Sequence, residues 1–271
     1  MASTHAVPAV LSIAGSDSGG GAGIQADLKA FARCGVHGMT AVTAITAQST
    51  VGVDAVEAVS PRMIVAQVRA VAEDIGVDAV KIGMLGNAET VEAVVEALAL
   101  VGAVPVVVDP VMVAESGAVL LDDDAREALI GLLLPLASVV TPNIPEARGL
   151  AGTPEAESQE ELAREVLALG PGAAVVTGGH SERGADFFYD GREAAEIPGE
   201  RHPDGAAHGS GCTHSSALAA FLALGDSPLD AARKARGIAS AAVGSGLREL
   251  GEGPGPVDVF DLAAGSTPKA F

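Results

Sequence analysis

Short runs of β-branched and small aliphatic residues alternate along this chain with longer amphipathic stretches. That alternation restricts the fold to stacked βα units around a mostly parallel sheet. Strands are expected at 10–14, 40–47, 79–82, 104–108, 138–141 and 173–177, the last four ending in a polar or glycine turn. Apolar runs of this kind suit strands covered by helices on both faces. Helices are expected at about 23–34 and from Pro61, preceded by Ser60, to about 75. Ser158 and Glu161 have the spacing of a capping box that opens a further helix to about 169. Two more are expected at 211–224 and 227–246, and Asp190-Gly191 marks a hairpin within 186–197. There is no internal repeat and no low-complexity linker. The Gly/Pro-rich stretch 251–256 reads as a surface connection, so residues 1–271 form one domain.

Composition sets the boundaries of function. Hydrophobic residues make up 48% of the 271 positions, with one Tyr, six Phe and no Trp, so the core must be aliphatic. No apolar stretch is long enough for a membrane helix, and 1–8 lacks the basic and apolar blocks of a secretory signal. Two cysteines cannot build a disulfide scaffold. A cytoplasmic location is the resulting expectation. A net charge of −19 excludes a nucleic-acid partner, which requires a basic surface.

In open α/β sheets ligands bind beyond the carboxyl ends of the strands, and the unusual loops fall there. The first, Gly15-Ser16-Asp17-Ser18-Gly19-Gly20-Gly21-Ala22-Gly23, fits neither the dinucleotide fingerprint nor a P-loop. It lets backbone approach a ligand, and Asp27 just after it could accept hydrogen bonds from a hydroxyl or amino group. The second, Gly209-Ser210-Gly211-Cys212, opens a helix of small residues. Its glycines let amides converge on the positive end of the helix, an anion-binding concavity suited to a transferring phosphoryl group. Cys212 at a helix N-terminus is expected to have a lowered thiol pKa and to act as a base or nucleophile. Asp109 directly follows the apolar run 106–108, and Glu146 ends the turn Thr141-Pro142-Asn143-Ile144-Pro145-Glu146 after another; two such acids could hold hydrated Mg²⁺. An anion hole with separated acids on one face points to phosphoryl transfer from Mg·nucleotide.

The motifs as an ordered set resemble the hydroxymethylpyrimidine/phosphomethylpyrimidine kinases of thiamine biosynthesis, in the ribokinase-like superfamily. They are Gly15-Ser16-Asp17 with Gly23-Ile24-Gln25-Ala26-Asp27, Thr46-Ala47-Gln48, Lys81-Ile82-Gly83-Met84, Asp109 to Met112, Thr141 to Glu146, Gly178-Gly179-His180 and the Cys212 turn. The match runs over about 8–260. It implies a three-layer α/β/α fold, a homodimer, and transfer of the ATP γ-phosphate to the pyrimidine hydroxymethyl group and then to the monophosphate. On the family pattern Gln48 hydrogen-bonds the aminopyrimidine, assisted by Asp27 and the Gly15 backbone, while Met84 and Val111 line apolar walls. Cys212 takes the place of the catalytic base, with Gly209, Ser210 and Gly211 as the anion hole. Asn143 and Glu146 match the N-x-x-E magnesium motif, with Asp109 near the metal.

The chain departs from that pattern at Glu115 and Thr177, where relatives usually carry Lys. Arg236 retains one cation on the phosphate side, with Thr177 and Gly179 beside it, and K⁺ and Mg²⁺ are the ions that could replace the lost charge. Two rival readings remain: a pyridoxal/pyridoxine kinase on the same fold, and a non-catalytic pyrimidine-binding regulatory protein. Gln48 and Met84 favour the pyrimidine over pyridoxal, since pocket contacts set specificity. The intact Asn143, Glu146 and Cys212 speak against a regulatory protein.

Overall fold

The computed structural model describes residues 6–113, 117, 120–156, 158–179, 184–203 and 205–264. Strand β1 (Ala9–Ala14) is buried along its whole length and pairs in parallel with β2 (His37–Val42). Between them α1 (Gly23–Cys34) supplies the crossover and ends on Gly35 in the left-handed conformation. The chain then leaves the sheet. Thr43 donates its N–H to the Ala14 carbonyl and its hydroxyl to the Met84 carbonyl, fixing a turn across the strand ends. Beyond it β3 (Ala44–Gln48) and β4 (Val53–Ala58) form a separate antiparallel hairpin. The single strand expected at 40–47 is therefore two strands in different sheets, because the Thr43 turn interrupts an otherwise uniform β-prone run.

After α2 (Pro61–Asp74), β5 (Ala79–Ile82) returns to the sheet on the other side of β1. Helix α3 (Ala88–Val101), capped by Asn87, and β6 (Val106–Val108) follow. Then come α4 (Asp123–Ala128), β7 (Val139–Val140), α5 (Ile144–Ala151), α6 (Gln159–Ala168) and β8 (Ala174–Val176). Ser158 accepts the Glu161 N–H at the start of α6, as the capping pattern predicts. β9 (Asp186–Tyr189) and β10 (Ala194–Ile197) form the expected hairpin and close the sheet antiparallel. Helices α7 (Ser210–Ala223) and α8 (Pro228–Gly244) are the last two α-helices among the described residues.

The strand order is β10-β9-β8-β7-β6-β5-β1-β2, so the winding direction reverses between β1 and β5. Alternate strand residues feed two cores. Leu11, Ile13, Val80, Ile82 and Val108 pack with Ile64, Val68, Val94 and Leu162 from the α2–α6 side. Val10, Ala79 and Val107 pack with Phe31, Leu218 and Ala232 from α1, α7 and α8. This is the three-layer α/β/α arrangement expected. The stretch 251–256 is not a mere surface connection: Gly255 and Pro256 are buried, and Val257 donates its N–H to the His208 carbonyl. No described helix is long and apolar enough to cross a membrane.

Candidate active site

A cavity of about 450 Å³ opens where β1, β5, β6, β7 and β8 end, over the point at which the winding reverses. Such switch points are where α/β sheets bind ligands, and the volume suits a small molecule. At its base Lys81, within the apolar strand β5, is fully buried and pairs with Asp27 at 2.8 Å. Asp27 also accepts the hydroxyls of Ser12 at 2.6 Å and Ser216 at 2.7 Å. Burial alone would lower the Lys81 pKa, but Asp27, Cys212 and Asp109 outweigh it and raise the ammonium above its ordinary range. Asp27 was expected among the substrate contacts. The structure instead seats it below the cavity with its oxygens committed to three protein donors.

The two glycine loops interlock above this base. Asp17 accepts the N–H groups of Gly19, Gly21 and Ala22, and its carboxylate meets His208 Nε2 at 3.0 Å. Burial would raise the Asp17 pKa, but His208 and the Ala22 and Gly19 N–H groups leave it lowered. Gly209 caps α7 with φ 84°, and a Cβ there would stand 1.7 Å from the Gly21 carbonyl oxygen. Ser210 donates its N–H to the Ala207 carbonyl, so the Gly211 and Cys212 amides are the first-turn donors without an intrahelical acceptor. A Cβ on Gly211 would lie 4.0 Å from Asp109 Oδ2, which puts the anion hole beside that carboxylate. A Gly209→Ala variant should lose about 1–3 kcal/mol from backbone strain alone. Displacing the turn should also weaken ADP binding about tenfold by calorimetry. Unchanged affinity would separate the turn from phosphate binding.

Cys212 corrects a second expectation. Its side chain is only partly covered, yet burial of the thiol in the surrounding protein pushes it up to about 12. Lys81 and the Gly23 N–H pull it down, while Asp27 and Asp109 oppose them. The helix N-terminus therefore does not make a resting thiolate: desolvation and two acids outweigh a partial positive charge.

Asp109 is buried and accepts the Ser215 hydroxyl at 2.9 Å. Burial raises its pKa against the pull of Lys81. Asn143 and Glu146 form a full capping box at the start of α5: Asn143 Oδ1 accepts the Glu146 N–H at 2.8 Å, and Glu146 Oε2 accepts the Asn143 N–H at 2.9 Å. The N-x-x-E spacing thus has a local structural use. Burial, and after it the Asp109 carboxylate, push Glu146 up to about 8. Two acids whose charged forms burial disfavours, one of them further raised by the other, suit a divalent cation, whose charge would oppose both shifts. Among the described residues no cluster of three or more His, Cys, Asp and Glu side chains has metal-binding geometry. An ion held by these two acids would keep much of its water, as Mg²⁺ does.

The other expected residues surround the same cavity: Gly15, Gln48, Met84, Val111, Thr177, Gly179 and Arg236 all line it. A Cβ on Gly15 would lie 2.3 Å from the Met84 methyl carbon, so glycine there makes room for that wall. The β3–β4 register shifts between Ala47 and Gln48, a bulge of the kind that re-aims a side chain. Thr177 donates its N–H to the Pro142 carbonyl, next to Asn143. Glu115 and His180 lie outside the described residues. Lys81, Ser12, Ser215, Ser216 and Asp186 are not among the site residues that the sequence pattern singles out. A lysine inside an apolar strand was the available signal for the first.

An amide-lined anion hole facing two carboxylates at the switch point of a three-layer α/β sheet defines a small-molecule phosphotransferase of the ribokinase-like class. The phosphomethylpyrimidine kinase profile matches residues 17–258, and the chain belongs to that family. It is 49% identical over 256 residues to a hydroxymethylpyrimidine/phosphomethylpyrimidine kinase of Rhizobium meliloti, covering 92% of this chain and 96% of that protein. Among solved structures it resembles the pyridoxal kinase of Staphylococcus aureus in complex with ADP, with TM-score 0.87, 34% identity and 95% of each chain covered. It also resembles the phosphomethylpyrimidine kinase of Clostridium difficile, with TM-score 0.75, 41% identity, and 84% of this chain and 96% of that one covered.

Proposed function

We propose that the protein transfers the ATP γ-phosphoryl group first to the hydroxyl of 4-amino-5-hydroxymethyl-2-methylpyrimidine and then to the resulting monophosphate, in thiamine biosynthesis. The observation that carries this reading is the Gly211 and Cys212 amide pair beside Asp109, in a cavity whose other wall is Gly15, Gln48 and Met84. In the first transfer the substrate oxygen attacks the γ-phosphorus, the bond to the β-phosphate oxygen breaks, and ADP leaves. The anion hole receives charge that builds on the equatorial oxygens. Cys212 rests as the thiol, so the acceptor of the hydroxyl proton is its minor thiolate form, which the Lys81 ammonium and the Gly23 N–H favour. Gln48 orients the aminopyrimidine, with Met84 and Val111 as apolar walls, and Lys81–Asp27 holds the base of the pocket from below. Thr177, Gly179 and Arg236 face the nucleotide phosphates. Mg²⁺ held by Asp109 and Glu146 would neutralise the charge of the phosphates, and K⁺ is a further candidate ion. A homodimer in the cytoplasm completes the proposal.

The likeness to pyridoxal kinase gives the second reading a specific basis. Steady-state ATP consumption with the hydroxymethylpyrimidine, its monophosphate and pyridoxal separates the two. kcat/KM for the pyrimidine should exceed that for pyridoxal by at least tenfold. The reverse order would make this a pyridoxal kinase. Pyrimidine binding without turnover on any of the three would make it a binding protein.

A further inference from the structure

One corner of the cavity holds several buried polar atoms without hydrogen-bond partners, and the residues that own them have no part in proton transfer. Asp186 opens β9 and is 1% exposed. Its Oδ1 accepts the Gly178 N–H at 3.0 Å, while Oδ2 has no hydrogen-bond partner. That free oxygen lies 3.5 Å from His214 Nε2 and 3.8 Å from Arg236 Nε. Both ring nitrogens of His214 and the Arg236 Nε are themselves unpartnered, and His214 is 4% exposed. Asp186, His214 and Arg236 all line the cavity.

Buried polar groups in folded proteins are almost always satisfied, so a cluster of exceptions bordering a cavity marks a place that a ligand completes. Its chemistry follows from the charges. Lys81 is neutralised by direct contact with Asp27, whereas among the described residues the Arg236 guanidinium has only a loose carboxylate neighbour. One edge of that guanidinium is anchored, since Nη2 donates to the Gly184 carbonyl, and Nη1 stands 4.0 Å from where a Cβ on Gly179 would be. The guanidinium is thus presented to the glycine turn after β8. A planar fork held in this way suits an oxyanion of a nucleotide phosphate.

We propose that Asp186 and His214 are positioning residues that hold Arg236 as the cation receiving the nucleotide phosphates. This rests on the kinase reading above. His214 Nε2–H can donate to Asp186 Oδ2 and aim the carboxylate at Arg236 Nε. Burial lowers the His214 pKa against the opposing pull of Asp186, with Arg236 adding to the lowering, which favours a neutral ring and leaves the carboxylate's charge to Arg236. Thr177, at the end of β8, brings no charge of its own to this corner.

ADP binding by calorimetry, without acceptor, and steady-state kinetics with ATP test the proposal on the intact protein. Asp186→Asn and His214→Gln, each checked by thermal melting, should weaken ADP binding and raise KM for ATP about five- to tenfold. kcat at saturating ATP and KM for the pyrimidine should stay within about threefold of the parent. Arg236→Ala should have a larger effect on the same two quantities. In that background Asp186→Asn should add nothing further, because its action passes through Arg236. Thr177→Lys should restore nucleotide affinity to Arg236→Ala. If Asp186→Asn melts too low to measure, His214→Gln carries the test, expected to raise KM for ATP alone. Folded variants with parental ADP affinity overturn the proposal, as does a loss that Asp186→Asn repeats in full without Arg236. Wild-type protein that binds no ADP would instead refute the kinase reading itself.

Discussion

Lys81→Met is expected to lower the stability of the fold by about 3–5 kcal/mol, the cost of leaving a buried charge without its partner. Methionine matches the length of the lysine stem but cannot donate to Asp27. The carboxylate would then depend on two serine hydroxyls in a site with no solvent exposure. Urea unfolding at fixed pH measures the loss, and a change under about 1 kcal/mol would show that water reaches the site. Adding Asp27→Leu tests the cause. Removing the second charge should return a large part of the stability, since an apolar pair of similar volume often replaces a buried ion pair without loss. It should not return activity. The ammonium also faces Cys212 and Asp109, and without it both lose the positive charge that favours their ionised forms.

The same lysine shows how far the sequence could be read. The positions of β1, α1, α2, β5 and α7 followed from patterns within a few residues of each other: apolar runs, Pro61 at a helix start, the glycine turn before a helix. Where a feature depends on contacts distant in sequence, the pattern was silent. Nothing local distinguishes 40–42 from 44–47, and the break lies in Thr43, whose partners are Ala14 at the end of β1 and Met84 just beyond β5. The second hairpin strand, β4, is largely exposed and has no alternation to betray it. Asp27 was legible as an acid near the ligand loop, but its burial was not, because Lys81 lies 54 residues away and Ser216 189. The Asn143–Glu146 spacing carried two meanings at once, a cap and a cation site. The cap is local and fully formed, while the proposed cation site needs Asp109, which follows β6.

Replacing Cys212 with alanine should divide the two proposed transfers. The first acceptor is an alcohol, which must lose a proton as its oxygen attacks, and a general base is typically worth 10²- to 10⁴-fold. Turnover of the hydroxymethylpyrimidine by Cys212→Ala should fall by about that factor. The second acceptor is a phosphate oxygen, already ionised near neutral pH, so turnover of the monophosphate should fall less than about tenfold. Rates with each acceptor, measured separately by coupled ADP release, give the comparison. Equal losses would assign Cys212 to shaping the anion hole, and no loss with the alcohol would remove it from the mechanism. The raised thiol adds an independent check. With its pKa near 12, Cys212 is almost wholly protonated at pH 7, and the thiolate fraction grows about tenfold for each pH unit below that value. Iodoacetamide labelling of Cys212, mapped by mass spectrometry, should therefore be slow at pH 7 and accelerate steadily to pH 10. Cys34, held near 11 by its own burial, provides the internal comparison and should label faster at every pH if access is equal. Rapid labelling of Cys212 at pH 7 would mean that Lys81 and the helix end outweigh burial in solution, and that the base is already poised as thiolate before any ligand arrives.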